Sequence, residues 1–67
     1  MSQEQQTTLE LLYNRHKVMY LDKGRTAKEL GVSIPTLDRM RLDGEIKSSK
    51  IRGSVKFALA EIAKFMD

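Results

Sequence analysis

The sequence predicts a mostly α-helical domain with one small β hairpin, and three observations predict it. Apolar or half-apolar residues recur at helical spacing near both ends: Leu9, Leu12, Tyr13 and His16, then Leu59, Ile62, Ala63 and Met66. Between them, Gly31-Val32-Ser33 separates two short helical stretches, a left-handed stop followed by a capping hydroxyl. Lys50-Ile51 and Val55-Lys56-Phe57 then flank Arg52-Gly53-Ser54, which reads as a hairpin with glycine at its tip.

Each element follows from local chemistry. A first helix is expected over residues 3–16, with Gln3 to Gln6 as a polar first turn that frays. Val18 to Leu21 is short and apolar, either a strand or an extended entry into the next helix. Asp22 suits an N-cap, because its carboxylate can accept from backbone N–H groups two and three residues ahead. The helix it starts runs to Leu30, with Ala27 and Leu30 inward and Lys23, Arg25 and Lys28 outside. Gly31 stops it, and Val32 folds back on the preceding turn. Either Ser33 or Ile34 caps the next helix, since Pro35 suits a first turn but disfavours α geometry in the residue before it. That helix covers about Pro35 to Leu42, turns Leu37 and Met40 to the core and stops at Asp43-Gly44. Ile46 opens a segment of β character leading to the hairpin, and a short helix closes the domain. Residues 1–19 are thus an N-terminal helical extension and residues 20–67 the domain proper.

Bulk properties narrow the function. At 67 residues the chain is one domain near the lower limit for folding alone. No apolar run approaches the roughly 18 residues that span a bilayer, and Ser2 to Glu10 is polar, unlike a signal peptide. Membrane binding is not expected, and a cytoplasmic protein fits. Cysteine is absent, which removes disulfides and cysteine-based zinc sites. The net charge of +3 is unevenly spread. Residues 1–38 balance five basic against five acidic side chains, whereas residues 39–56 hold six basic against two acidic. A positive field concentrated in one short segment suits a polyanion-binding face.

Two helices held at a steep angle by a three-residue turn make a helix-turn-helix, and the hairpin makes it a winged one. In such a fold the second helix enters the major groove of double-stranded DNA by its N-terminal part. That places Ser33, Pro35, Thr36 and Arg39 on the DNA side, with Asp38 and Arg41 on neighbouring faces. Thr36 can touch a base edge or a thymine methyl, and Arg39 can reach guanine bidentately or clamp a phosphate. Asp38 can accept from a cytosine amine, but a carboxylate among phosphates more often serves as a spacer or as a partner for Arg25 or Arg41. On the hairpin, Lys50, Arg52, Gly53, Ser54 and Lys56 form a wing that follows the phosphates or enters the adjacent minor groove. Lys23, Arg25 and Lys28 either add backbone contacts or are ordinary solvated side chains.

These residues resemble the excisionase and MerR-type winged-helix family over residues 20–66, about 70% of the chain. The resemblance rests on Ala27-Lys28-Glu29-Leu30-Gly31-Val32-Ser33, on Thr36-Leu37-Asp38-Arg39-Met40 and on Asp43-Gly44-Glu45-Ile46. Lys50-Ile51-Arg52-Gly53 corresponds to the wing, and Glu61-Ile62-Ala63-Lys64-Phe65-Met66 to the closing helix. It implies DNA binding by Thr36 and Arg39 in the groove and by Lys50 and Arg52 at the wing. Two positions depart from the pattern: Ala58 stands where many relatives have proline, and Asp38 where an aromatic is common. A chain that stops at Asp67 leaves no room for the dimerisation helix and effector region of a full MerR regulator. The resemblance therefore implies a small excisionase-like or AlpA-like protein of a phage or mobile element. Such a protein would direct a recombinase or integrase, regulate transcription, or self-associate on DNA, in association with the nucleoid.

Other classes are weaker. The first helix could instead serve a partner, as in an antitoxin or inhibitor subunit, although packing on its own core is the simpler use. One histidine, no cysteine and scattered carboxylates offer no nucleophile–base pair and no metal cluster. Neither an enzyme nor a bound cofactor is expected, and His16 is read as a partly buried helix residue.

Overall fold

Three helices begin at oxygen-bearing caps, and these caps fix most of the local structure. The computed structural model describes residues 7–66. Thr7 is extended, and its hydroxyl accepts from the Glu10 amide while the Glu10 carboxylate accepts from the Thr7 amide. This reciprocal capping box starts α1 at Thr8 and runs it to His16. The expectation of one helix running unbroken through Thr7 is therefore corrected, because the box holds Thr7 outside α1; the expected start at residue 3 and the polar turn Gln3 to Gln6 lie outside the described residues. Lys17 ends α1 in the left-handed region at φ 60°.

Asp22 caps α2 (Lys23–Leu30) by accepting from the Arg25 amide at 2.9 Å. Gly31, at φ 72°, stops it: the Gly31 amide donates to Lys28 O and the Val32 amide to Ala27 O. Ser33, not Ile34, caps α3 (Ile34–Leu42), with Ile34 and Pro35 in its first turn. α3 ends in the same way, with Gly44 at φ 80° and the Glu45 amide donating to Met40 O. Both stops satisfy carbonyls that the helices would otherwise leave unpaired.

The sheet is antiparallel, in the order β1-β3-β2. β1 (Tyr20–Leu21) resolves the ambiguity at Val18 to Leu21, pairing Tyr20 with Ala58 and Leu21 with Phe57 of β3 (Ser54–Ala58). β2 (Ser49–Ile51) pairs with the other side of β3, and the pair Ile51–Ser54 leaves only Arg52 and Gly53 in the turn. Both have positive φ, 54° and 80°, as a type I′ turn requires. This corrects the expected three-residue tip, since Ser54 already belongs to the ladder. Ile46 is also corrected: it is buried but lies in a bend ahead of β2, where it fills the core without pairing.

β3 runs into α4 (Leu59–Met66) without an intervening loop, and the Leu59 amide donates to Met19 O at 2.8 Å. The core gathers Leu12, Leu21, Ala27, Leu37, Met40, Ile46, Phe57, Leu59, Ile62 and Ala63. Leu12, 2% exposed, brings α1 into that core where α1 packs on α4. Two expected stripe residues do not join it. Tyr13 is 42% exposed at the edge of α1, under the Lys17 ammonium, and Met66 is 44% exposed in the last turn of α4. Conversely, Thr26 is fully buried although polar, and its hydroxyl has no partner among the described residues. The architecture is a small α-rich domain of four helices and a three-stranded antiparallel sheet among the described residues. No helix among them is long and apolar enough to cross a membrane.

Candidate nucleic-acid interface

Burying Leu37 and Met40 fixes where the rest of α3 points. With about 100° between successive residues, Pro35, Arg39 and Leu42 fall opposite the core, and all three are exposed. Thr36 lies on one flank, half-buried. Its hydroxyl accepts from Ser33 Oγ at 2.9 Å, while Ser33 Oγ accepts from the Thr36 amide. Ser33 is thus committed to the cap and to Thr36, and the Thr36 hydroxyl keeps its own proton for an outside acceptor.

Asp38 lies on the other flank, facing α2. Its Oδ1 accepts from Lys23 Nζ at 2.9 Å and from Arg41 Nη2 at 3.3 Å. The hydrogen bond from Lys23 holds the Asp38 carboxyl below its ordinary value; partial desolvation opposes this and Arg41 adds to it. Of the two partners expected for Asp38, Arg41 is present, and Lys23 stands where Arg25 was expected. Lys23 is half-buried and paired, so it is not a free solvated cation. This triad ties the start of α2 to the middle of α3.

Among the described residues a different set of cations has no acidic partner. Arg25 and Lys28 on α2, Arg39 on α3, and Lys50, Arg52 and Lys56 on the hairpin make no ion pair, nor do Lys47 ahead of β2 and Lys17, whose ammonium lies over the Tyr13 ring. By contrast, Glu29 takes Arg15 and His16, Asp38 takes Lys23 and Arg41, and Glu61 takes Lys64. On the hairpin, the register places Lys56 opposite Ser49 and Lys50 opposite Val55. Because side chains alternate across a sheet, Lys50 and Lys56 project to opposite faces, with Arg52 and Gly53 at the tip between them. The hairpin is thus charged on both faces.

The second ion cluster lies between α1 and α2. Glu29 is 9% exposed in its side chain; both oxygens accept from Arg15 Nη1, and Oε2 lies 2.7 Å from His16 Nε2. Burial raises the Glu29 carboxyl, but the hydrogen bonds and charges of Arg15 and His16 outweigh it and hold it below its ordinary value. His16 is therefore a clasp between two helices.

Three exposed residues, Ile34, Leu42 and Lys47, are not among the DNA-binding residues that the sequence predicts. Leu42 is recoverable in principle, lying seven residues after Pro35 on the side opposite Leu37 and Met40. Lys47, one of the six cations of the basic segment, sits in the connection between α3 and β2. Comparisons with family models, with curated proteins and with solved structures return no match.

Proposed function

We propose that the chain is a small winged helix-turn-helix protein that binds double-stranded DNA sequence-specifically, of the excisionase-like or MerR-like type. α2, the Gly31-Val32-Ser33 turn and α3 are read as the helix-turn-helix, and β2–β3 as the wing. The observation that carries this reading is the sorting of charge. Acids of the fold are occupied by Arg15, His16, Lys23, Arg41 and Lys64, while Arg25, Lys28, Arg39, Lys50, Arg52 and Lys56 on α2, α3 and the hairpin are left for an outside anion, as is Lys47 between α3 and β2; Lys17, also without an acid among the described residues, lies over the Tyr13 ring. Arg39 and Thr36 then read base edges, and the five cations on α2 and the hairpin hold phosphates. The protein would act on recombination or on transcription, in the cytoplasm at the nucleoid, alone or with an integrase.

The test is titration of the full chain against duplex DNA across a salt series. Five phosphate contacts predict a slope of log K on log salt of about −4.5. Arg39→Ala should cost about 1–3 kcal/mol and relax the sequence preference. Binding indifferent to both salt and Arg39 would refute the assignment. Cooperative occupancy of an attachment site with a neighbouring integrase would mark an excisionase, and protection of a promoter alone would mark a regulator.

A second reading is favoured by one observation: Leu9, Tyr13 and Met19, with Glu10 and Asn14, line an open groove beside α1. In that reading the groove receives a protein partner or a second copy. Light scattering with and without DNA separates these, and an unchanged monomer mass in both states removes self-association.

A further inference from the structure

The outward line of α3 has a composition that the charge argument leaves unexplained. Pro35, Arg39 and Leu42 share that line, and Ile34 is 45% exposed beside Pro35. Leu42 is 76% exposed although leucine is among the residues most often buried. Arg39 stands between these apolar ends without an ion pair, while beside it Asp38 is held by Arg41 and Lys23. The strip is therefore one free guanidinium flanked by aliphatic side chains. From Pro35 to Leu42 it extends about 10 Å at 1.5 Å per residue, enough to cover the two base steps, about 7 Å at 3.4 Å each, that separate the outer bases of a triplet.

We propose that this strip reads a guanine flanked on both sides by thymine methyl groups. The proposal rests on the DNA-binding reading above and names the sequence class that α3 recognises. Arg39 donates two hydrogen bonds to guanine O6 and N7, the acceptor pair that a guanidinium fork matches. Ile34 with Pro35 at one end and Leu42 at the other cover the C5 methyl of a thymine. That methyl is the apolar feature of the major-groove edge, so an aliphatic side chain has no better target there. Cytosine in the same place lacks the C5 methyl, so the aliphatic contact is lost there.

The test selects the tightest-binding duplexes from a random pool with the full chain, then replaces each thymine of the selected site by deoxyuridine. This keeps base pairing and removes only the methyl group. Each flanking replacement should weaken binding about fourfold, the equivalent of leaving one buried CH₂-sized group uncovered, with the salt slope unchanged. Leu42→Ala should abolish the uracil effect at one flank, and Ile34→Ala should reduce it at the other. Replacing the guanine by 7-deazaguanine should weaken the natural protein and leave Arg39→Ala unaffected. Salt-dependent, sequence-selective binding without a uracil effect, or a selected site lacking guanine between thymines, overturns this inference alone. No binding to any duplex overturns the DNA-binding reading itself.

Discussion

Arg52 is where stability and the proposed binding pull in opposite directions, and Arg52→Asn separates them. The residue holds φ 54° in a two-residue turn closed by the Ile51–Ser54 pair. A non-glycine residue in the left-handed region is strained by about 1–2 kcal/mol, whereas asparagine visits that region several-fold more often than most side chains. Asn-Gly is also the preferred pair for such a turn. Recovering about half the strain gives roughly 0.5–1 kcal/mol, or about 3–6 °C in melting temperature for a domain of this size. The same substitution removes one of the five cations assigned to phosphates. The salt slope should become shallower by about 0.9, which is about fivefold in affinity near 0.15 M salt. Thermal melting by circular dichroism reads the first effect, and fluorescence anisotropy on a labelled duplex reads the second. A lower melting temperature would refute the turn argument. An unchanged salt slope would remove Arg52 from the DNA surface.

Leu12→Ala should destabilise by about 2–5 kcal/mol, because it empties a buried site where α1 meets α4. Leu11→Ala, at 48% exposure one residue earlier, should cost far less; equal urea midpoints for the two variants would show that α1 is oriented differently. Thr26→Val should be neutral or stabilising by about 1 kcal/mol, since it removes a fully buried hydroxyl without a partner. Loss of stability on chemical denaturation would mean that the hydroxyl is bonded after all. For acid stability the sign follows from Glu29, whose folded carboxyl lies below its ordinary 4.5, so the unfolded chain takes up its proton first as pH falls. Its contribution is complete above about pH 4.5 and is lost as pH drops through the folded value. Urea midpoints of Glu29→Gln and the natural protein should therefore converge below that pH, and a gap that widens instead would contradict the Arg15–Glu29–His16 clasp.

Much of the fold is legible along the chain, and particular residues show why the rest is not. Asp22 and Gly31 bracket α2 as their chemistry dictates, and Gly44 stops α3, because each acts on amides or carbonyls within one turn. Thr7 with Glu10 carries the same kind of signal, yet the polar run before it reads as more helix. Ile46 misleads for a different reason: a lone aliphatic after a helix stop looks the same whether it starts a strand or plugs the core. For the proposed interface, the cations of the hairpin are apparent as a charge cluster. Their division into free and occupied side chains is not, since nothing near Asp38 in sequence points to Lys23 rather than Arg25.

By itself, the sequence determined the Asp22 cap, the two glycine stops, the existence of the hairpin and the inward pair Leu37 and Met40. These depend on hydrogen bonds and side-chain periodicities that act over a few neighbouring residues. Only the tertiary structure decided the pairing of Tyr20 and Leu21 with the far end of β3, the burial of Thr26 and the exposure of Tyr13. It alone also decided which ions are spent inside the fold, through Lys23 with Asp38 and Arg15 and His16 with Glu29. Those outcomes depend on which surfaces meet across more than ten residues of chain, a distance at which no local preference chooses a partner.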